Sequence, residues 1–429
     1  MTSQKDKCRN VYTMSLSWLF LDMNAYFASV EQQLQPRLRH RPVAVAPVMV
    51  DSTCCIAVSY EAKRFGIKTG TNVGLARKLC PELQLVEARP DIYVEFHEKI
   101  LAAVDTVIPI EQVHSIDEMS CRLSGRQREM DHAIALARRV KEVIDLKVGR
   151  FMRCSVGLAT NRFLAKIASN IQKPDGLTVI THNDLPDKLY TLSLSDLPGI
   201  GTSMLARLHD CGVQTVEQLC SLSMVQMAGI WQSVIGRRWW HLLRGYDLAE
   251  PRTHRQTVSH SHVLSPEFRT DEGARAVLIK LIHKGAARLR RLNYWASRFT
   301  VHVSYSNRKE NWKESVILGQ SQDTQTMVRA FSVLWSLRPR DWSPDYVGIA
   351  LSDLTPASCV SSPLFPTDRR RIQLSQAMDA INERFGAYSI YFGSMHDTQE
   401  AAPMRISFTH IPDLVAEGQT RGRNKTERT

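Results

Sequence analysis

A chain of 429 residues exceeds one compact core, and at roughly 100–200 residues per domain it divides into two to four domains. Its composition, 43% hydrophobic and 23% charged with no apolar run of about 18 residues, excludes a disordered chain and a membrane-spanning helix. The net charge is +12 at a pI near 9.3, and residues 201–340 hold 20 Lys+Arg against 10 Asp+Glu, so +10 of the surplus lies there; a polyanionic partner is expected, a merely basic surface being the alternative.

The opening MTSQKDKCRN lacks an apolar signal core, so no export signal is expected. Residues 16–22 read as a buried strand ending in an acid, and 24–34 as a helix. Short strands are expected at 42–50 and 54–59, then helix over 60–80 with turns at Gly66 and Gly70. Tyr60, Lys63 and Arg64 fall on one helical turn, where a phenol and two cations suit a triphosphate, solvated helix charges being the alternative for each alone. Strands follow at 107–110 and 111–122, an amphipathic helix at 128–148, a strand at 152–158, and a helix at 161–171. That helix stops before Lys173-Pro174-Asp175-Gly176, which makes Lys173 a second phosphate candidate. This first part mixes strands and helices in an α+β order.

Asp22 and the pair Asp117-Glu118 each interrupt an apolar strand, and a buried carboxylate is costly unless paired or metal-bound. Acids from two neighbouring strands make an oxygen-rich site that suits Mg²⁺, and two ions roughly 3.5–4 Å apart would clamp an attacking 3′-oxygen and a leaving pyrophosphate. Adjacent strand residues point to opposite faces, so Asp117 and Glu118 share a site only if the strand bends or the Glu side chain curls round. No Walker-type loop occurs, and the nine cysteines form no C-x-x-C pair; reduced thiols in a cytoplasm are expected, with Cys121 and Cys154 in the core.

Residues 192–248 read as short helices punctuated by glycines, and Leu197-Pro198-Gly199-Ile200-Gly201-Thr202 looks like a helix-hairpin-helix whose amides face a DNA phosphate. A Pro-containing linker spans 249–255. Beyond it come a strand (256–264), a helix (271–292), strands at 296–305 and 314–319, a helix (322–337) and a strand (346–354): a β-α-β-β-α-β, ferredoxin-like split unit. Its cations include Arg288, Arg290, Arg291, Arg298, Arg308, Lys309 and Lys313. Strand alternation puts Arg298, Thr300 and His302 on one face, available to a DNA backbone. Residues 373–385 look helical, and 417–429 are polar and expected to be disordered.

Taken together, these segments resemble the Y-family DNA polymerases, the translesion group, and its bacterial DinB/UmuC branch in particular. The resemblance rests on Leu21-Asp22-Met23-Asn24-Ala25-Tyr26-Phe27-Ala28-Ser29-Val30-Glu31, Ser59-Tyr60-Glu61-Ala62 through Gly66, Ser115-Ile116-Asp117-Glu118, and Ser155-Val156-Gly157-Leu158-Ala159 with Asn161 and Lys166 through Lys173-Pro174-Asp175-Gly176. It implies an α+β, multidomain right-hand polymerase. A ferredoxin-like palm would span 1–31 and 89–186, small fingers 32–88 and a helix-hairpin-helix thumb 187–249. A linker (250–255), a β-α-β-β-α-β little finger (256–356) and a C-terminal extension (357–429) would follow.

The resemblance also implies roles. Asp22, Asp117, Glu118 and the Met23 carbonyl would hold two Mg²⁺ ions, and Tyr60, Lys63 and Lys173 would contact the incoming triphosphate. Phe27 would be the steric gate that clashes with a 2′-hydroxyl. Two positions depart from the family: Asn24 stands where Asp is frequent, and Lys63 where Arg is usual, which leaves open whether Lys63 or the adjacent Arg64 holds the phosphates. Ser361-Ser362-Pro363-Leu364-Phe365 resembles the end of a sliding-clamp-binding peptide without its usual Gln, an ordinary loop being the alternative. The implied function is error-prone, template-directed DNA synthesis without proofreading, in damage bypass and repair. Its substrates would be primer–template DNA and deoxynucleoside triphosphates, its place the bacterial cytoplasm at the nucleoid. The rival readings are a non-enzymatic DNA-binding relative, which retention of the acids disfavours, and a nuclease, which the Tyr60 cluster and Phe27 disfavour.

Overall fold

The structure, a computed structural model, describes residues 15–250, 254–305, 311–339, 343–361, 363–386 and 388–398, with single residues at 406 and 411. It consists of two compact units that divide after Glu250. Arg308, Lys309, Ser362 and residues 417–429, all singled out in the sequence, lie outside the described residues.

The first unit opens with β1 (Trp18–Met23) and α1 (Tyr26–Leu34). Then come β2 (Val43–Ala46), β3 (Ala57–Val58), α2 (Tyr60–Lys63), α3 (Val73–Leu79), β4 (Gln84–Glu87) and α4 (Pro90–Asp105). The chain continues through β5 (Gln112–Val113), β6 (Glu118–Arg122), α5 (Met130–Lys147), β7 (Cys154–Ala159), α6 (Arg162–Ile171) and β8 (Leu177–Ile180). Four short helices close the unit: α7 (Thr202–Asp210), α8 (Val216–Ser221), α9 (Met224–Trp231) and α10 (Val234–Leu242).

The apolar run Trp-Leu-Phe-Leu ahead of Asp22 makes β1 the middle strand of a five-stranded sheet, β5-β6-β1-β7-β8, with all six of its residues buried. β1 is antiparallel to β6 and β7, while β7 and β8 run parallel. Helix α6 lies directly on β7 because residue 157 is glycine: a Cβ there would sit 1.9 Å from the Ala165 carbonyl oxygen. Asn161 starts that helix, its Oδ1 accepting from the Leu164 amide at 2.8 Å. Its Nδ2 donates to the carbonyls of Leu242 and Tyr246, which ties the helical segment to the sheet. A smaller sheet, β3-β2-β4, stands between α1 and α4 in the chain.

Three expectations change here. Residues 107–110, β-branched and apolar, form a turn after α4 rather than a strand. The strands expected over 42–50 and 54–59 shrink to four and two residues. β4, α4 and β8 form where no element was expected.

The second unit runs β9 (Thr257–Val263), α11 (Asp271–Arg291), β10 (Tyr294–Tyr305), β11 (Trp312–Ser321), α12 (Thr324–Ser336) and β12 (Pro344–Pro356), then α13 (Pro366–Phe385). The sheet order is β11-β10-β12-β9 with every neighbouring pair antiparallel. Each β-α-β crossover therefore skips one strand, the split arrangement expected from the element order. Phe299, Val301 and Val303 alternate into a core with Val277, Ile282 and Phe331 from α11 and α12. The helix expected at 373–385 starts seven residues earlier, at Pro366, and Asp379 on it grips Arg290 of α11 through both carboxylate oxygens, at 2.5 and 2.8 Å. No helix among the described residues is long and apolar enough to cross a membrane.

Candidate active site

Strand register brings the acids together. Asp22, near the end of β1, is the direct cross-strand partner of Glu118, the first residue of β6. Directly opposite residues on antiparallel strands lie about 4.5–5.5 Å apart at Cβ. Asp117 precedes the strand, in a bend over 115–117, so strand alternation does not turn it away from Glu118. The bend resolves the geometric difficulty posed by two adjacent acids. It is held at both ends: the Met23 amide donates to the Asp117 carbonyl at 2.8 Å, and the Ser115 hydroxyl donates to Asp117 Oδ1 at 2.6 Å.

Burial, the dominant cause, raises the pKa of Asp22. Lys173 and Lys166 lower it again, while Glu118 adds to the rise. Burial likewise pushes Asp117 up to about 7, with Asp22 and Glu118 adding to it against the Ser115 hydrogen bond. Two lysines offset the negative charge. Lys173 Nζ lies 2.6 Å from Asp22 Oδ2, and Lys166 Nζ lies 2.6 Å from Glu118 Oε2.

Among the described residues, no three His, Cys, Asp or Glu side chains close into a metal-holding group. Asp22 and Glu118 pair in register, but the three acids do not close as one ligand set; Lys173 is ion-paired to Asp22 and Lys166 to Glu118. Their donor chemistry still fits a hard cation: carboxylate oxygens that burial leaves short of positive charge, beside two carboxylates that already attract cations.

The loop carrying Lys173 is pinned by Asn24. Its Nδ2 donates to Ser155 Oγ at 3.1 Å and its Oδ1 accepts from the Asp175 amide at 2.7 Å. An ionised Asp accepts only, so the amide at this position fits the pair of bonds it makes. Lys141 secures the same loop through the Asp175 and Gly176 carbonyls and an ion pair to Asp175 at 2.7 Å.

Helix α2 starts at Ser59, whose hydroxyl accepts from the amides of Ala62 and, on β2, Val43. Lys63 Nζ lies 4.1 Å from the centroid of the Tyr60 ring. Burial, then the charge of Asp22, pushes the Tyr60 phenol up to about 12. Burial, then Lys173, lowers the Lys63 pKa against the pull of Asp22. Tyr60 senses Asp22, and Lys63 senses Lys173 and Asp22; Lys63 and Arg64 are both exposed, Arg64 as the C-cap of α2.

Phe27 follows Asp22 by five residues and is fully buried, its ring stacked on Tyr93 at 4.6 Å and 20°. The positions expected to hold DNA are divided between the two units. Gly199 turns the chain at φ +100°, and Gly201, where a Cβ would meet nothing within 4 Å, is the N-cap of α7. In the second unit Arg298 is ion-paired to Asp353 at 3.0 Å; His302 packs against Tyr346 at 5.3 Å, and Thr300 beside it is buried. Leu364 and Phe365 are 80% and 64% exposed at the start of α13. Sequence reasoning gave Lys166 and Asn24 no task. Their partners lie 48, 131 and 151 residues away, and the only signal was a polar side chain beside an apolar strand or on a buried helix face.

Comparison with known proteins agrees with this architecture. Residues 21–170 match the impB/mucB/samB family, 255–364 that family's C-terminal domain, and 195–247 the thumb domain of DNA polymerase-iota. The chain is 34% identical to DNA polymerase IV of Moorella thermoacetica over 390 residues, 87% of this chain and 95% of the relative. DNA polymerase IV of Caulobacter vibrioides is 28% identical over 88% of this chain and 94% of its own. A solved Y-family DNA polymerase chimera of Dbh and Dpo4 superposes with a TM-score of 0.67 at 25% identity, over 79% of this chain and 99% of its own. The insertion ternary complex of Dbh DNA polymerase, at TM-score 0.54 and 24% identity over the same shares, has the same fold. The acid-bearing sheet, the glycine-turned helices and the split second unit are thus those of a bacterial DinB-like polymerase, and the chain belongs to the Y family of DNA polymerases.

Proposed function

We propose that this chain extends a primer 3′ end on a DNA template with deoxynucleoside triphosphates, at the site built on Asp22, Asp117 and Glu118. The observation that carries the reading is the pairing of Asp22 with Glu118 in register, with Asp117 in the adjoining bend and Lys173, Lys63 and Tyr60 around them. The enzyme is a DNA-directed DNA polymerase of the translesion type, without proofreading.

The three carboxylates and the Met23 carbonyl would hold two Mg²⁺ ions, which supply positive charge for the attacking and leaving oxygens. Tyr60, Lys63 and Lys173 bind the triphosphate; Lys173 is released from Asp22 as a phosphate takes its ammonium. The remaining work is positioning. Phe27 is the steric gate. Its ring is sealed in this structure, so sugar discrimination requires its edge to be uncovered as the nucleotide seats.

Residues 1–31 and 89–186 are the palm, 32–88 the fingers, 187–249 the thumb, 250–255 the linker and 256–356 the little finger. Gly199 and Gly201 of the thumb, with Arg298 and His302 of the little finger, hold the DNA backbone without reading sequence. Leu364-Phe365, exposed ahead of α13, is the contact to a sliding clamp. An enzyme of chromosomal DNA works in the cytoplasm at the nucleoid. The test is extension of a labelled primer with Mg²⁺ and all four deoxynucleotides. Lengthening that vanishes in Asp117→Ala/Glu118→Ala supports the reading, and shortening of the strand replaces it with a nuclease.

A further inference from the structure

Behind Phe27 lies a charged assembly that the reaction itself does not use. Phe27 and Glu31 are four residues apart on α1 and share a face; Arg89, the N-cap of α4, and Tyr93 are likewise four apart. The two pairs meet. The Tyr93 ring stacks on Phe27 at 4.6 Å and its hydroxyl donates to Glu31 Oε1 at 2.8 Å. Arg89 forks onto the same carboxylate, Nε to Oε1 at 3.0 Å and Nη2 to Oε2. Gln35 Nε2 donates to Oε2 at 2.8 Å, and the Tyr26 hydroxyl donates to the Tyr93 carbonyl at 2.6 Å.

Glu31 is fully buried. A lone carboxylate there would be prohibitively costly, and four donors satisfy it. Such a network admits one geometry. The Tyr93 ring cannot slide without taking its hydroxyl off Glu31, and Phe27 cannot drop without displacing that ring. Arg89 lies just after β4, where the chain leaves the β3-β2-β4 sheet, so the anchor also ties that sheet's exit to α1.

We infer that Glu31, held by Arg89 and acting through Tyr93, is the positioning residue that fixes the height of the Phe27 ring and so sets how strictly the site rejects a 2′-hydroxyl. The inference rests on the reading of Phe27 as the steric gate. The experiment keeps the two apart by comparing Tyr93→Phe, Glu31→Gln and Phe27→Val in the full-length protein. For each, kcat/KM is measured for a deoxynucleotide and its ribonucleotide on one primer–template, with thermal melting to establish folding.

Phe27→Val reports on the gate: the deoxy-to-ribo ratio should collapse. Tyr93→Phe keeps the ring and removes only its tether. It should lower the ratio by about tenfold, a partial loss where a 1 Å misplacement costs on the order of a hundredfold. Glu31→Gln should do the same or more, the loss falling mainly on discrimination. A merely structural role would depress both sugars equally and leave the ratio unmoved. An unchanged ratio in folded Tyr93→Phe, with Phe27→Val relaxed, overturns the anchor and leaves the gate standing. An unchanged ratio in Phe27→Val overturns both. If Glu31→Gln does not fold, Tyr93→Phe alone decides.

Discussion

The acid cluster of the first unit and the outer face of β10 in the second both carry charge, but they hold it differently. Around Asp22 each charged group has a fixed partner: Lys173 on Asp22, Lys166 on Glu118, Ser115 on Asp117. Burial there raises the pKa of two carboxylates. On β10 the corresponding cation, Arg298, pairs with an exposed acid on the neighbouring strand, both side chains being about half exposed (43% and 55%). Exposed pairs are worth roughly 0–1 kcal/mol, whereas breaking a buried charge network costs several. Chemistry at a phosphorus atom needs groups placed within a fraction of an ångström, and holding a backbone of any sequence needs only a positive surface. Under the roles proposed above, each region would meet one of those two tolerances.

The largest expected effect breaks the first region. Asp117→Ala/Glu118→Ala should lower primer extension by at least on the order of a thousandfold. DNA affinity, measured by fluorescence anisotropy, should stay within a few-fold because no cation is lost. Equal loss of binding would mean that the acids hold the fold and not the reaction.

A smaller effect separates neighbours within that region. Lys63→Ala should raise the KM for deoxynucleotides by about tenfold, the loss of one charge-assisted phosphate contact, and Arg64→Ala should leave it within about twofold. Steady-state extension at varied nucleotide concentration checks this. The reverse order would move the triphosphate to the outer face of α2, where Arg64 is the exposed C-cap.

Acid should sharpen the contrast at the level of stability. In the first unit the shifts oppose one another. Asp117, raised to about 7 from an ordinary 3.8, gains stability as pH falls through that window, because the folded state binds the proton first. Asp22 shifts the same way, while His114, lowered to about 4 by burial and Arg162, loses stability as pH falls from 6.5. In the second unit, His283 is lowered to about 4 by burial and Arg290, and His302 is lowered by burial and Lys313; both lose stability on acidification. Scanning calorimetry in a chelator at pH 7 and pH 5 should show the second unit's transition falling by about 5 °C more than the first's. His283→Gln should remove much of the difference, and coincident shifts in both transitions would remove the contrast.

How much of this was legible follows the same division. Asp22 could be read because an acid ends an unbroken apolar run. The second unit could be read because its strands alternate and its helices are long, so local pattern and final structure agree. Residues 107–110 misled because β-branched residues also fit a turn packed after a helix, and β8 was missed because four residues between turns carry no period. The partners that finish the site were out of reach. Lys166 meets Glu118 and Arg89 meets Glu31 only after strands and helices from distant parts of the chain are laid side by side.

The smallest effect tests the second region by improving it. Asp353 holds the Arg298 guanidinium and adapts to a positive φ of 54°, a conformation that Asn also tolerates. Asp353→Asn therefore removes one negative charge without straining the strand, and stability should stay within about 0.5 kcal/mol. If the β10 face lies along DNA, freeing Arg298 should tighten binding a few-fold at low salt and steepen the dependence of log K on log salt by about one unit. Arg298→Ala should shift both quantities the opposite way. The pair of variants makes the argument symmetrical: a DNA-facing cation must respond to both losing its competitor and losing itself. Anisotropy titrations at two salt concentrations that move for neither would assign DNA holding to the thumb glycines and leave Arg298–Asp353 as an ordinary cross-strand ion pair.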